Sequence, residues 1–145
     1  MFLVIVEAAI YQGGRWLIIK RSEKEEHAAG LLALVGGKVD LSDQPNDVLE
    51  HALRREIKEE IAIEVSELTY VKSASFVLHD GRCALETIFL CIPKSGTPHA
   101  VSADEVAEFY WMTTEEILAH PQTPSYLKDQ IVQAERVLRS IQALK

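Results

Sequence analysis

Apolar positions along the chain change their spacing several times, and each change marks an element. Phe2–Tyr11 and Arg15–Arg21 are rich in Val, Ile and Leu and are separated by Gln12-Gly13-Gly14, which predicts a β-hairpin. Leu31–Val35 reads as a short strand ending on Gly36-Gly37, a pair expected to turn sharply and to bring backbone close to a ligand. From Val48 the period lengthens, and Val48, Leu49, Ala52, Leu53, Ile57 and Ile61 fall on one arc of a helix. Pro45-Asn46-Asp47 before it, with Glu50 following, predicts a turn into an N-capped helix. Glu64–His79 and Arg82–Pro93 return to alternating or apolar runs, joined at Asp80-Gly81 as a second hairpin, and Glu86 within the latter could face either way. Phe109–Met112 is a further short strand, with Tyr110 and Trp111 expected in the core or a wall. Thr113 and Glu116 have the spacing of a capping box for a short helix ending near His120-Pro121. Thr123 as N-cap and Pro124 as first residue then predict a last helix, whose stripe Leu127, Ile131, Ala134, Leu138 and Ile141 serves core packing or a dimer face. The order β-β-β-α-β-β-β-α-α defines an α/β (α+β) domain.

The central helix carries charge on the wrong side. Glu56, Glu59 and Glu60 lie within the same arc as its apolar residues, so the helix is predicted to pack on the core and then run out over a cleft. Like charges about 5 Å apart repel by roughly 3 kcal/mol at an effective dielectric near 20, and each buried ion also loses hydration. A hard cation such as Mg²⁺ or Mn²⁺ offsets that cost, because it takes carboxylate oxygens and shares its remaining positions with water and phosphate. The plainer alternative is a solvated acidic helix in which Arg54, Arg55 and Lys58 pair locally.

The stretch Gly36–Ile63 resembles the Nudix box, a glycine, a spaced acidic residue, and then Arg-Glu-hydrophobic-x-Glu-Glu-x-Gly-hydrophobic. Arg55–Ile63 matches the second half except at Ala62, where the family has glycine, and Gly36-Gly37-Lys38-Val39-Asp40 resembles the opening. Gly37 to Arg55 spans eighteen positions where the family has fourteen, so Leu41–Asp47 carries four extra residues. Counting from the glycine places Asp43 where the first box glutamate is expected; counting back from the arginine places Asp47 there. Insertion costs little loop entropy. Alanine at position 62 costs about 1 kcal/mol if a left-handed helix end is kept, so a different closure is expected.

The resemblance implies one domain over residues 1–145, an α/β/α sandwich around a mixed sheet, and Mg²⁺- or Mn²⁺-dependent hydrolysis of a nucleoside diphosphate linked to another group. Glu56, Glu59, Glu60 and the Gly37 carbonyl would hold the metal, Arg55 would position Glu56, and Glu56 or Glu105 would be the general base, with Glu108 the other candidate in that region. Arg21, at the end of the second strand, and Lys38 are the candidate substrate-binding cations. Lys94–Ala103 would wall the site, whereas Ser22–His27 reads as a solvated charged loop. A Nudix-like module that senses a nucleotide without cleaving it is the alternative.

Composition narrows this further. At 145 residues and 48% apolar content the chain can bury one real core. A net charge of −7 argues against general nucleic-acid binding; the partner that the resemblance implies is a small-molecule nucleotide, with a homodimer open. The apolar start is interrupted by Glu7 and is too short to span a bilayer, and no leader is apparent, so a cytoplasmic, membrane-free protein is expected. Cys83 and Cys91, about 26 Å apart on one extended strand, are expected to be small buried apolar residues rather than a disulfide. The five histidines show no metal-ligand spacing.

Overall fold

The computed structural model describes residues 1–25, 28–102 and 104–144. Residues 26 and 27 of the predicted charged loop, residue 103 of the predicted wall and residue 145 lie outside the described residues. The predicted first hairpin forms from β1 (Phe2–Gln12) and β2 (Arg15–Arg21), paired at Tyr11–Trp16 and Gln12–Arg15. Beyond that turn the two strands take different neighbours. β1 runs parallel to β7 (Cys83–Cys91) and antiparallel to β4 (Val35–Lys38). β2 pairs antiparallel with β3 (Leu32–Ala33) and with β9 (Val106–Met112). β6 (Thr69–Val77) completes the seven-stranded mixed sheet against β7 across the predicted Asp80-Gly81 turn, where Gly81 adopts φ 88°. β5 (Glu64–Val65) and β8 (Pro93–Ser95) form a separate two-stranded ladder.

Both faces of this sheet are covered, which is why β1 and β2 are apolar nearly throughout. On one face α1 (Val48–Ile61) buries Ala52, Leu53, Ile57 and Ile61 against Val6, Ala8, Ile10 and Val35. On the other, α2 (Thr114–Ala119) and α3 (Ser125–Ala143) bury Ile117, Leu127, Ile131 and Ala134 against Ala9, Trp16, Ile88 and Leu90. Leu138 and Ile141, the end of the predicted stripe, pack there only in part. The predicted α/β/α sandwich around a mixed sheet is therefore the observed architecture. Trp111 packs partly against the α1-side core, whereas Tyr110 is exposed rather than in core or wall. Cys91 is buried, with its thiol pushed up to about 12 by burial, but Cys83 is only partly covered.

Local geometry departs from expectation at several points. Gly36 and Gly37 do not turn: they lie inside β4, paired with Glu7 and Val6. Asp47 occupies the N-cap of α1 in left-handed geometry (φ 53°) and its side chain makes no capping bond. Pro124, not Thr123, is the N-cap residue of α3, and the buried Thr123 hydroxyl finds no partner. The capping box of α2 forms as expected, Glu116 N donating to Thr113 Oγ1 at 3.2 Å and Thr113 N to Glu116 Oε1 at 3.0 Å.

Ala62 keeps the left-handed helix end instead of avoiding it: φ is 61°, and its N–H donates to the Lys58 carbonyl at 3.0 Å. The geometry is retained because the following chain needs it. His99 N and Val101 N donate to the carbonyls of Ile61 and Glu60 at 3.1 and 2.9 Å, satisfying groups that a helix end leaves open. Ala62→Gly relieves the Cβ strain and should stabilise the protein by about 1 kcal/mol, read as a higher denaturant midpoint at unchanged slope.

Candidate functional site

The site begins with a close approach. Gly36 lies so near β1 that a Cβ would overlap the Val6 carbonyl oxygen, and at Gly37 a Cβ would occupy the place of the Glu56 carboxyl. Neither glycine has positive φ, so it is room rather than conformational freedom that demands glycine here. The last turns of α1 therefore lie directly on the β4 backbone.

Three carboxylates meet this surface at different depths. Glu60 is buried, with 6% of its surface exposed, and its Oε2 has no hydrogen-bond partner. Burial first, then the charges of Glu56 and Glu105, push its carboxyl up to about 8, against a smaller opposing hydrogen bond from the Gly36 backbone. Glu56 is half-buried, and burial raises its carboxyl too, opposed by Arg55. Glu59 corrects the expectation that all three face inward: it sits at the edge of the arc and is exposed, although it still lines the cleft.

Arg55 ties the cluster together. Its Nη1 donates to Glu56 Oε1 at 2.8 Å and to Glu59 Oε2 at 3.3 Å, its Nη2 to the Lys38 carbonyl at 3.0 Å. Its Nε and Nη2 hold Asp43 Oδ1 and Oδ2 at 2.8 and 2.9 Å, a two-pronged pair of the kind that fixes both partners. Of the two aspartates that counting left open, Asp43 is thus the one beside the cluster, and Asp47 is exposed at the helix start. Arg55 and the Asp40 N–H hold the Asp43 carboxyl down to about 2, while the surrounding carboxylates raise the Arg55 guanidinium above its ordinary value.

An open cleft of about 740 Å³ extends from these residues. It is lined by Gly37, Lys38, Glu56, Glu59, Glu60, Arg21 and Glu105, so the structure brings the sequence-predicted set to one cavity. Arg21 reaches Glu25 at 3.4 Å and lowers the charge cost at Glu60. Glu105 is held by its backbone, its carbonyl accepting from Ser22 N at 3.1 Å and its N–H donating to the Ser102 carbonyl at 3.2 Å, and its charge bears on Glu56 and Glu60. Glu108 is excluded from the cleft: on β9 it faces Lys20 in register and bonds Tyr110. Sequence reasoning missed Glu7, which lines the same cleft from β1. Its signal was visible as the one charge interrupting an apolar strand.

The donor set fits a hard divalent cation. The buried Glu60 oxygen without a partner, the second carboxylate seated on the Gly37 backbone and an all-oxygen environment are the chemistry such an ion takes. The set is not drawn to a point: among the described residues no three His, Cys, Asp or Glu form a metal cluster, Glu56 and Glu59 each turning an oxygen to Arg55. Also among the described residues, no helix is long and apolar enough to cross a membrane.

The chain is 35% identical over 119 residues to the Nudix hydrolase YfcD of Escherichia coli strain K12, a match covering 79% of this chain and 62% of that protein. It thus spans less than two thirds of the curated relative's length. The crystal structure of a MutT NUDIX hydrolase from Burkholderia pseudomallei superposes with a TM-score of 0.77 at 29% identity, over 94% of this chain and 98% of that one. The NUDIX domain of Shewanella oneidensis NrtR, crystallised with ADP ribose, shares the fold at a TM-score of 0.77 and 19% identity, over 95% and 89% of the two chains. The NUDIX domain model matches residues 1–131. With the box carboxylates, Arg55 and Gly37 gathered in one cleft, that match establishes the chain as a member of the NUDIX family.

Proposed function

We propose that the protein is a divalent-cation-dependent pyrophosphohydrolase acting on a nucleoside diphosphate linked to another group. The observation that carries this reading is the buried Glu60 carboxylate, its Oε2 without a partner, beside Glu56 on the Gly37 backbone, opening on a cleft also lined by Lys38 and Arg21. Mg²⁺ or Mn²⁺ held by Glu56, Glu59, Glu60 and the Gly37 carbonyl would supply charge neutralisation at phosphate oxygens and acidify water. Lys38 and Arg21, which line the cleft, bind and orient the phosphates. Glu56 or Glu105 accepts the proton of the attacking water as its oxygen bonds phosphorus in line, and the bridging P–O bond opens with its electrons leaving on the second phosphate. Arg55 is a positioning residue, fixing the Glu56 carboxylate from one side while Asp43 fixes Arg55 from the other.

The substrate classes compatible with this chemistry are nucleotide sugars such as ADP-ribose, dinucleoside polyphosphates and nucleoside triphosphates. The grip of Arg55 on Glu56 and Glu59 favours one second reading, a module that binds nucleotide without cleaving it. Incubating the protein with Mg²⁺ or Mn²⁺ and a panel of these compounds, with products read by phosphorus NMR, separates the two. Cleavage is expected, and Glu60→Gln should lower kcat on the order of 100-fold without unfolding the protein. Undiminished turnover in that variant overturns the assignment, and tight binding without cleavage supports the sensing module.

Asp43→Asn removes one charge of the two-pronged pair and should lower kcat more than it changes KM, since Arg55 acts through Glu56. Steady-state kinetics on the identified substrate test this, and an effect confined to KM places Asp43 with substrate binding instead.

Metal-free stability gives a readout independent of turnover. Glu60 has its carboxyl raised from the ordinary 4.5 to about 8 in the folded chain, so the folded state retains a proton that the unfolded state releases. Its stabilising contribution is complete below pH 4.5 and is lost as pH rises through about 8. Glu60→Gln mimics the protonated form, so in chelator its stability advantage over the parent protein should grow across that window to a few kcal/mol. Denaturant titrations at several pH values check it, and Mg²⁺ should stabilise the parent protein but not the variant.

A further inference from the structure

Glu7 lines the cleft from within the sheet and is a titratable group that the hydrolytic chemistry does not use. It extends from β1 opposite Gly36, so it lies one strand away from the backbone on which Glu56 is seated. Its carboxyl is enclosed and hydrogen-bonded to Glu86 of β7, and burial together with Glu86 raises it well above the usual carboxylate range. Behind the pair, Gln130 of α3 is buried to 2% exposure and donates its Nε2 to Glu86 Oε1 at 2.9 Å and to Glu7 Oε1 at 3.4 Å. Of these three residues it is Glu7 that lines the cleft, where Leu3, Ile5 and Leu34 surround it with apolar surface. That the cleft takes a ligand has its own mark in the buried, unpartnered Glu60 oxygen, whose charge reaches Glu7, as does that of Arg21.

The hydrogen-bond balance of this group decides what it recognises. Two carboxyl groups bring four acceptor oxygens, and the donors set against them are the hydrogen bond within the pair and the Gln130 amide. Those donors are consumed inside the cluster, so the face that Glu7 presents to the cleft is open to a donor from a ligand. With its phosphates at the α1 end, a nucleotide would set its base against the Leu3, Ile5 and Leu34 stretch of the cleft. Adenine, cytosine and guanine carry an exocyclic amine that donates, whereas uracil offers two carbonyl oxygens flanking one N–H.

We infer that Glu7, clamped by Glu86 and Gln130, is a specificity-determining residue that selects amine-bearing bases over uracil. The inference rests on the nucleotide reading of this cleft and names the substrate class within it. It assigns Glu86 and Gln130 as positioning residues: they fix the Glu7 carboxyl without reaching the cleft themselves.

Calorimetric titration with the α,β-methylene analogues of ADP, CDP, GDP and UDP in Mg²⁺ tests it without any need for turnover. At least one amine-bearing analogue should bind about tenfold more tightly than the UDP analogue. Glu7→Met, which removes the acceptor and a buried carboxyl while conserving bulk, should bring that ratio close to one. Glu7→Gln retains a carbonyl acceptor and should restore part of the preference, and Glu86→Gln should preserve it. A purely structural role for the cluster would move all four affinities together and leave the ratio unchanged. Equal binding of the UDP analogue by the parent protein, a preference surviving Glu7→Met, or no binding of any analogue overturns the inference. Turnover in the phosphorus NMR panel without base preference would remove the base reader and leave the hydrolase. Base-selective binding without turnover would do the reverse.

Discussion

The constraint on which this structure depends is the contact of α1 with the β4 backbone. Two side chains are absent there, at Gly36 and Gly37, and the space they leave is filled by the Val6 carbonyl and by the Glu56 carboxyl. Because the Glu56 carboxyl rests on the Gly37 main chain while the apolar face of the helix packs on side chains, the carboxylate meets the β4 backbone directly. Glu60 is carried below the surface by the same contact, between Ile57 and Ile61, residues the core needs. The electrostatic cost at Glu60 follows from the packing that stabilises the helix, and the two cannot be relaxed separately.

Around that contact the charges are arranged in opposition. Arg55 gathers Asp43, Glu56, Glu59 and the Lys38 carbonyl, while Glu60 is left with its oxygen unpartnered. An arrangement that satisfies its outer carboxylates and leaves its innermost one unsatisfied is stable only within a rigid frame. The frame comes from both ends of the helix: the Arg55–Asp43 pair fixes the incoming loop, and the bonds from His99 and Val101 fix the outgoing one. Glu105 is tied instead to the end of β2, its carbonyl accepting from Ser22 N at 3.1 Å.

Much of this was legible in the sequence because it rests on local patterns. The hairpins at Gly13-Gly14 and Asp80-Gly81, the α1 arc, the Thr113–Glu116 box and the α3 stripe are each set by neighbours within a few residues. What was misread depended on distant chain. Gly36-Gly37 carries the composition of a turn, yet pairing with β1 draws it straight. Ala62 keeps an unfavourable φ because residues almost forty positions later bond to the helix end it forms. Glu59 shares the wheel position of buried residues but lies at the border of the arc, where a small helix tilt determines exposure. Asp43 could not be separated from Asp47 by counting, since only the folded loop shows which one meets Arg55. Glu7 was visible as a charge within an apolar strand, but its partners Glu86 and Gln130 come from β7 and α3 and could not be paired with it by spacing.

The Arg55–Asp43 pair divides the segment between β4 and α1 into two parts with different freedoms. Residues 38–43 are bound at both ends, by sheet pairing and by the guanidinium, and cannot change length without moving Glu56. Residues 44–47 lie beyond the anchor and join α1 through a left-handed residue that makes no side-chain cap. Chain length can therefore vary in this second part without the carboxylates registering it. The four residues by which this box exceeds the family spacing occupy the stretch where the fold is indifferent to number, which is how a lengthened signature coexists with an intact cluster.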